Sequence, residues 1–311
     1  MPAIRGDEAV CPLSGTPAPG GVVPNQPAVA VKVENAIPGR PQYGLSTADL
    51  VYEEPVEAGI TRFIAVYQCH SAARIEPVRS ARLVDALILP QLGDPVFGFA
   101  GGINPSVAAV NATSAKVVND LPDPGPFSLD PARVAPHNLK TSTSALLKAA
   151  GNPKGPPSPI FTYSPKPTPA GLPAPTVHLY LGQDSDVWWL WNVSTGRYLR
   201  YYGATATSLT PAKLGGGGQI QAANVVVEAV AVTPSRYVED ANGVHEHLVG
   251  VVGSGPAEVV RNGVVIKGTW EHPSAAAPTQ LRDRAGNLIP LAPGPTWIEF
   301  LPAGNSASPA P

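Results

Sequence analysis

The sequence predicts an α+β protein, a layered sandwich of mostly antiparallel sheet with helices in the N-terminal half and a mainly β C-terminal half. Three observations carry this. Short valine-rich runs with period-two alternation recur along the chain. Helical spacing with cap and stop residues occurs only before residue 151. The 31 glycines and 38 prolines among 311 residues punctuate nearly every run, which keeps the elements short.

In chain order, residues 1–27 form a Pro/Gly-rich arm, because five prolines between Cys11 and Pro27 sustain neither ladder nor helix. An α+β domain over 28–150 follows. Its first strand, 28–34, puts Val29, Val31 and Val33 on one face and Lys32 and Glu34 on the other. Strands 50–54 and 60–69 make an antiparallel pair across the turn at Pro55 and Gly59. The spacing of Leu83, Val84, Leu87 and Ile88 predicts a short helix over 80–89, stopped by Pro90. A buried strand over 95–100 ends at Gly101 and Gly102, after which Asn104 caps a helix with Pro105 in its first turn. A hydroxyl-rich cap at 141–144 opens a last helix over 145–150, and Gly151 supplies the left-handed stop.

Residues 151–175 are a proline-dense extended linker. In a β-rich domain over 176–302, strands are expected at 176–181, 187–191, 197–202, 225–232, 248–252 and 296–300. Asn262-Gly263 marks a two-residue hairpin between 257–261 and 264–270, and another hairpin turns near 283–287. Residues 303–311 read as a disordered tail.

Composition bounds the function. With 43% hydrophobic residues the chain can bury a sizeable core, and a formal net charge of −2 gives no broad field for nucleic acid or an anionic membrane. No run approaches the roughly 18 apolar residues of a transmembrane helix. Residues 1–10 lack the basic and apolar regions of a secretory signal. Cys11 and Cys69 are too few and wrongly spaced for a metal site; they are either two free structural thiols or, as we expect in an oxidising compartment, one disulfide. No cofactor or metal is expected.

Candidate chemistry concentrates between Glu53 and Arg82. Alternation puts Arg62 on the face of Ile64 and Val66, so Glu53, Glu54 or Glu57 should neutralise it. Arg79 and Arg82 fall in the first turn of the expected 80–89 helix, where the helix dipole disfavours cations. They form a fork for a carboxylate, phosphate or sulfate unless Glu76, Asp85 or the glutamates above occupy them. His137 and Asn138, with Lys140 behind them, lie in an ordered loop, and His137 is either a proton-transfer candidate or a hydrogen-bonded loop residue. Gly101 and Gly102 let a ligand approach the backbone, or merely turn the chain. Trp188, Trp189, Trp191, Tyr198, Tyr201 and Tyr202 cluster on one hairpin with one side in the core. His245 and His247 share a strand face without an evident third metal ligand.

Several of these segments carry a resemblance. Arg40-Pro41-Gln42-Tyr43-Gly44-Leu45, Ala48-Asp49-Leu50-Val51-Tyr52-Glu53, Glu57-Ala58-Gly59-Ile60-Thr61-Arg62-Phe63 and Pro77-Val78-Arg79-Ser80-Ala81-Arg82 resemble, in order and spacing, the YerB-like family of bacterial lipoproteins. Pro136-His137-Asn138-Leu139, Gly268-Thr269-Trp270 and Pro293-Gly294-Pro295-Thr296-Trp297 are similar to it as well, so the likeness covers roughly residues 11–302. It implies a two-part α+β fold, anchored or released outside the cytoplasmic membrane, in a family described as a domain of unknown function. Cys11-Pro12-Leu13 with Gln68-Cys69-His70 resembles the actinobacterial branch.

The expected function is that of a noncatalytic envelope protein. Arg62, Arg79, Arg82 and Asn138, with Gly101 and Gly102 and backed by Glu54 and Glu57, would hold an anionic ligand in a cleft. A cell-wall polymer or an envelope assembly protein is the expected partner. The alternatives are a hydrolase of a phosphodiester or glycan, with Glu54, Glu57 or His137 transferring the proton, and a scaffold with no small-molecule site.

Overall fold

A computed structural model describes residues 9–166, 171–305 and 307–309. Alternating valines build its centre. β1 (Val29–Glu34), β2 (Leu50–Pro55) and β3 (Thr61–Tyr67) pair antiparallel with β3 in the middle, so that Arg62 stands opposite both Glu34 and Glu54. After the short helix α1 (Asp85–Ile88), β4 (Val96–Phe99) pairs in parallel with β1. The chain returns through α2 (Asn104–Asn111) to β5 (Lys116–Asn119), parallel to β4, and α3 (Thr143–Ala149) follows. On the other side β2 pairs in parallel with Thr296–Pro302, beyond which lie Asn224–Val230, Gly253–Arg261, Val264–His272 and Gln280–Asp283. Among the described residues one eleven-stranded sheet therefore runs through both halves of the chain.

One face of this sheet packs on a second sheet built around Thr176–Gly182, Ser185–Asn192 and Arg197–Tyr202. Val31, Phe63 and Trp297 meet Leu179, Val187, Trp189 and Tyr198 there, so the aromatic hairpin gives one of its sides to the core. Arg200 joins the two sheets from inside: it reaches Glu53 at 2.6 Å and Glu299 at 3.1 Å, and all three are fully buried. The opposite face, with Tyr52, Ile64, Phe97 and Val226, lies beneath Val84, Ile88, Val110 and Val249 of α1, α2 and the hairpin Val232–Val238/His245–Val249.

Cys11 and Cys69 form a disulfide with Cα atoms 5.8 Å apart, tying the arm to the end of β3. Closing a loop of 58 residues stabilises the fold by about 4 kcal/mol on chain-entropy grounds. Asn262 and Gly263 turn with positive φ, as the hairpin signal requires.

Three expectations need correction. The helix expected over 80–89 shrinks to α1, which passes into a 3-10 turn at Leu89–Leu92. Its first residues are extended because their backbone pairs with strands: Arg79 N–H donates to the Lys32 carbonyl, the Arg79 carbonyl accepts from Ala100, and Ala81 N–H donates to Gly101. Asn104 is already helical, with Ile103 in the cap position. Residues Ala307–Pro309, within the stretch expected to be a disordered tail, pair antiparallel with Thr176–Gly182 and satisfy an otherwise open strand edge. The parts of the arm, linker and tail at 1–8, 167–170, 306 and 310–311 lie outside the described residues.

Glu228 is an acid in the apolar layer, 3% exposed and opposite Ala257 and Phe300. Burial pushes its carboxyl up to about 8 from 4.5. The fold thus holds this proton more tightly than the unfolded chain does, and stability should fall as pH rises from about 4.5 through about 8. Glu228→Gln is expected to flatten that decline in urea titrations across this window. An unaltered slope would remove Glu228 as its source.

Candidate functional site

Period two places Lys32, Glu34, Glu54 and Arg62 on one face at the end of β1–β3, facing α1 and the segment before it. Lys32 Nζ holds Glu54 and, at 2.6 Å, Asp85, all with fully buried side chains. Arg82 takes both oxygens of Glu57 and, at 2.6 Å, Glu239. Arg62 donates to the Ser80 carbonyl at 3.0 Å and lies 3.9 Å from Glu57. Glu246 accepts from Leu83 N–H at 2.6 Å and Ser106 Oγ at 2.5 Å.

Burial governs the protonation of this network. It pushes Glu54 well above the ordinary carboxylate range, with Lys32 opposing and Asp85 adding to the rise. At Glu57 burial acts in the same sense, but the hydrogen bond and charge of Arg82 outweigh it and the carboxyl is held low. Lys32, Arg62, Arg79 and Arg82 face Glu34, Glu54, Glu57, Asp85, Glu239 and Glu246. With acids in the majority, the interior has no surplus positive charge for an external anion.

The outer edge differs. Glu34 has Arg79 Nε 3.2 Å from one oxygen, an ion pair without hydrogen-bond geometry, and His137 Nδ1 2.8 Å from the other, while Arg79 and His137 each keep 23% of their side chain exposed. Gly39 permits this arrangement, since a Cβ there would stand 2.7 Å from Glu34 Oε2. Among the described residues Arg79 Nη1 otherwise reaches only the Pro136 carbonyl, at 3.4 Å. Fixing Nδ1 on a carboxylate leaves the Nε2 side of the His137 ring for another partner.

The fork expected from Arg79 and Arg82 is thus divided. No helix dipole acts on it, because α1 begins after Arg82, and Asp85 accepts the Arg82 N–H at 2.8 Å. Arg82 is 1% exposed and turned inward, and Arg79 is turned outward. Arg62 finds its expected carboxylate in Glu57, whereas Glu54 goes to Lys32. Gly101 and Gly102 admit the protein's own backbone: Gly101 accepts from Ala81, and a Cβ on Gly102 would stand 3.2 Å from the Ala81 carbonyl. The Asn138 carbonyl accepts the Asp130 N–H at 2.7 Å. Sequence reasoning overlooked Glu239, an acid after a strand with no local signal that it reaches Arg82.

In comparison with known proteins, residues 13–155 match the N-terminal domain, and residues 177–298 the C-terminal domain, of "Protein of unknown function (DUF3048)". The chain is 27% identical over 302 residues to "Putative lipoprotein YerB" of Bacillus subtilis (strain 168), covering 96% of this chain and 87% of that protein. The crystal structure of YerB from Bacillus subtilis matches with a TM-score of 0.79 at 24% identity, covering 97% of this chain and all of that one, and so has the same fold. The resemblance to the YerB-like family read from the motifs is borne out.

Proposed function

Because the chain belongs to the DUF3048 family, in which its relative YerB is named as a lipoprotein, we propose that it is an extracytoplasmic protein of the bacterial envelope that binds an anionic ligand at the Arg79–His137 edge. One observation carries the reading: Arg79 and His137 share Glu34 yet remain partly exposed, whereas Lys32 and Arg82 are committed inside. A phosphate or carboxylate there would gain charge-assisted hydrogen bonds from the guanidinium. An anionic cell-wall polymer, or an envelope assembly protein presenting acidic groups, fits this surface.

Arg79→Gln is expected to weaken co-sedimentation with purified, polymer-bearing cell walls by about tenfold, the loss of one charged hydrogen-bonding group. Its stability should change by less than about 1 kcal/mol, since Arg79 is partly exposed and His137 still holds Glu34. Wild-type sedimentation by the variant would reject the edge as the binding surface.

A second reading is favoured by the Glu34–His137 contact, because an imidazole oriented by a buried carboxylate beside a guanidinium is also suited to proton transfer at a phosphodiester or glycan. Release of soluble fragments from the same cell walls, abolished in His137→Gln, would select the hydrolase. Binding without release selects the noncatalytic protein.

A further inference from the structure

A different charged pair lies beside the disulfide. Asp49, immediately before β2, is 1% exposed; its Oδ2 accepts the Gln68 N–H at 2.7 Å and its Oδ1 meets His70 Nδ1 at 2.8 Å. Both oxygens are engaged and the side chain is buried, so Asp49 serves to orient the imidazole and to offset its charge. The hydrogen bond to Asp49 raises the His70 pKa, and the ring keeps 44% exposure. Like Glu34 with His137, this is a histidine held by a buried acid, but here the ring faces a groove.

The groove holds about 260 Å³; Asp49, already paired with His70, lines it together with His70, Arg197 and the hydroxyl residues Ser14, Thr16, Ser46 and Thr47. Arg197 is half-buried; its Nη1 donates to the Gly196 carbonyl at 3.1 Å, and no carboxylate pairs with it among the described residues. Ser14 and Thr16 are presented by the arm, which the Cys11–Cys69 bridge and a 2.8 Å hydrogen bond from Gly294 N–H to the Ser14 carbonyl hold in place. Asp49 offsets His70, which leaves the Arg197 guanidinium to call for an oxyanion. Ser14 and Thr16 hydrogen-bond each other at 2.9 Å and Thr47 donates to the Gly44 carbonyl at 3.3 Å, so their oxygens can still accept. Ser46 has no partner among the described residues, and the lining as a whole suits a ligand with hydroxyls of its own. The volume falls just below the roughly 300–1,000 Å³ of sites for drug-sized ligands, which suits a single ring.

We infer that this groove binds one anionic sugar residue, with its carboxylate or phosphate on Arg197 and His70 and its hydroxyls on Ser14, Thr16, Ser46 and Thr47. The site is separate from the Arg79–His137 edge and does not depend on it.

Calorimetric titration of the 311-residue chain with glucuronate, glucose 6-phosphate and glucose tests this. At least one charged sugar should bind saturably and glucose at least about tenfold more weakly; which charged sugar binds better separates a uronate from a sugar phosphate. Arg197→Gln and His70→Gln should each weaken binding by about tenfold. Ser46→Ala, on an exposed side chain, should cause a smaller loss in a chain that folds normally. Absence of saturable binding by both charged sugars, equal affinity for glucose, or wild-type affinity in both Arg197→Gln and Ser46→Ala would overturn the site.

Discussion

Arg200→Ala is expected to lower the unfolding free energy by about 5 kcal/mol, enough to threaten the folded state of a domain with ordinary stability. Two effects combine. Glu53 and Glu299, directly opposite one another on parallel strands, would remain buried without their shared cation. The vacated space, ringed by Phe63, Trp189, Tyr202 and Trp297 with centroids 5.0–5.5 Å from the guanidinium carbon, would also become a cavity between the sheets. Adding Glu53→Gln and Glu299→Gln should recover part of the loss by removing both charges. Urea unfolding of the single and triple variants measures this, and a single variant within about 1 kcal/mol of wild type would show that the arginine does not join the sheets.

Arg82→Ala comes next, with an expected loss of about 3–5 kcal/mol. It would leave Glu57 and Glu239 facing each other beneath the hairpin that carries Glu239. The pH dependence has a definite sign. In the wild type Arg82 holds the Glu57 pKa below its unfolded value, which contributes stability above about pH 4.5 that is lost as pH falls through the lowered folded pKa. Without Arg82 burial dominates and the same carboxyl rises, so the variant's deficit should be largest near neutral pH and shrink toward pH 4. Arg79→Ala, where the arginine is partly exposed and His137 still holds Glu34, should cost no more than about 1 kcal/mol. Equal losses for the two arginines would contradict the division between an inner network and an outer edge.

The alternation of β1 and β3 made the valine face and the burial of Arg62 legible, and with them the need for an acidic neighbour, because side-chain direction in a strand follows from sequence parity alone. The Asn262-Gly263 hairpin and the Ser142 cap were legible for the same local reason. What lay beyond reach was long-range. The parallel pairing of β2 with Thr296–Pro302 joins residues more than two hundred positions apart, and no local pattern encodes it. The spacing at 80–89 misled because Ala81, Val84 and Ile88 face the core from an extended segment followed by one turn, so apolar period did not distinguish that path from a helix. Partner choice escaped for a related reason: Glu54 stands opposite Arg62 on the ladder, but it pairs with Lys32, which Asp85 also holds. Asp49 and His70 went unpaired in the sequence because only the return of β3 beside β2 brings them together.

The proposed binding surface rests on the exposed parts of Arg79 and His137 while Arg82 is turned into the interior, and the position of an oxyanion in a crystal tests this division directly. Anomalous scattering from crystals soaked in tungstate should give a peak bridging Arg79 and His137 that disappears in Arg79→Gln. A crystal with no oxyanion at that edge, or with one seated on Arg82 in place of Glu57, would contradict it.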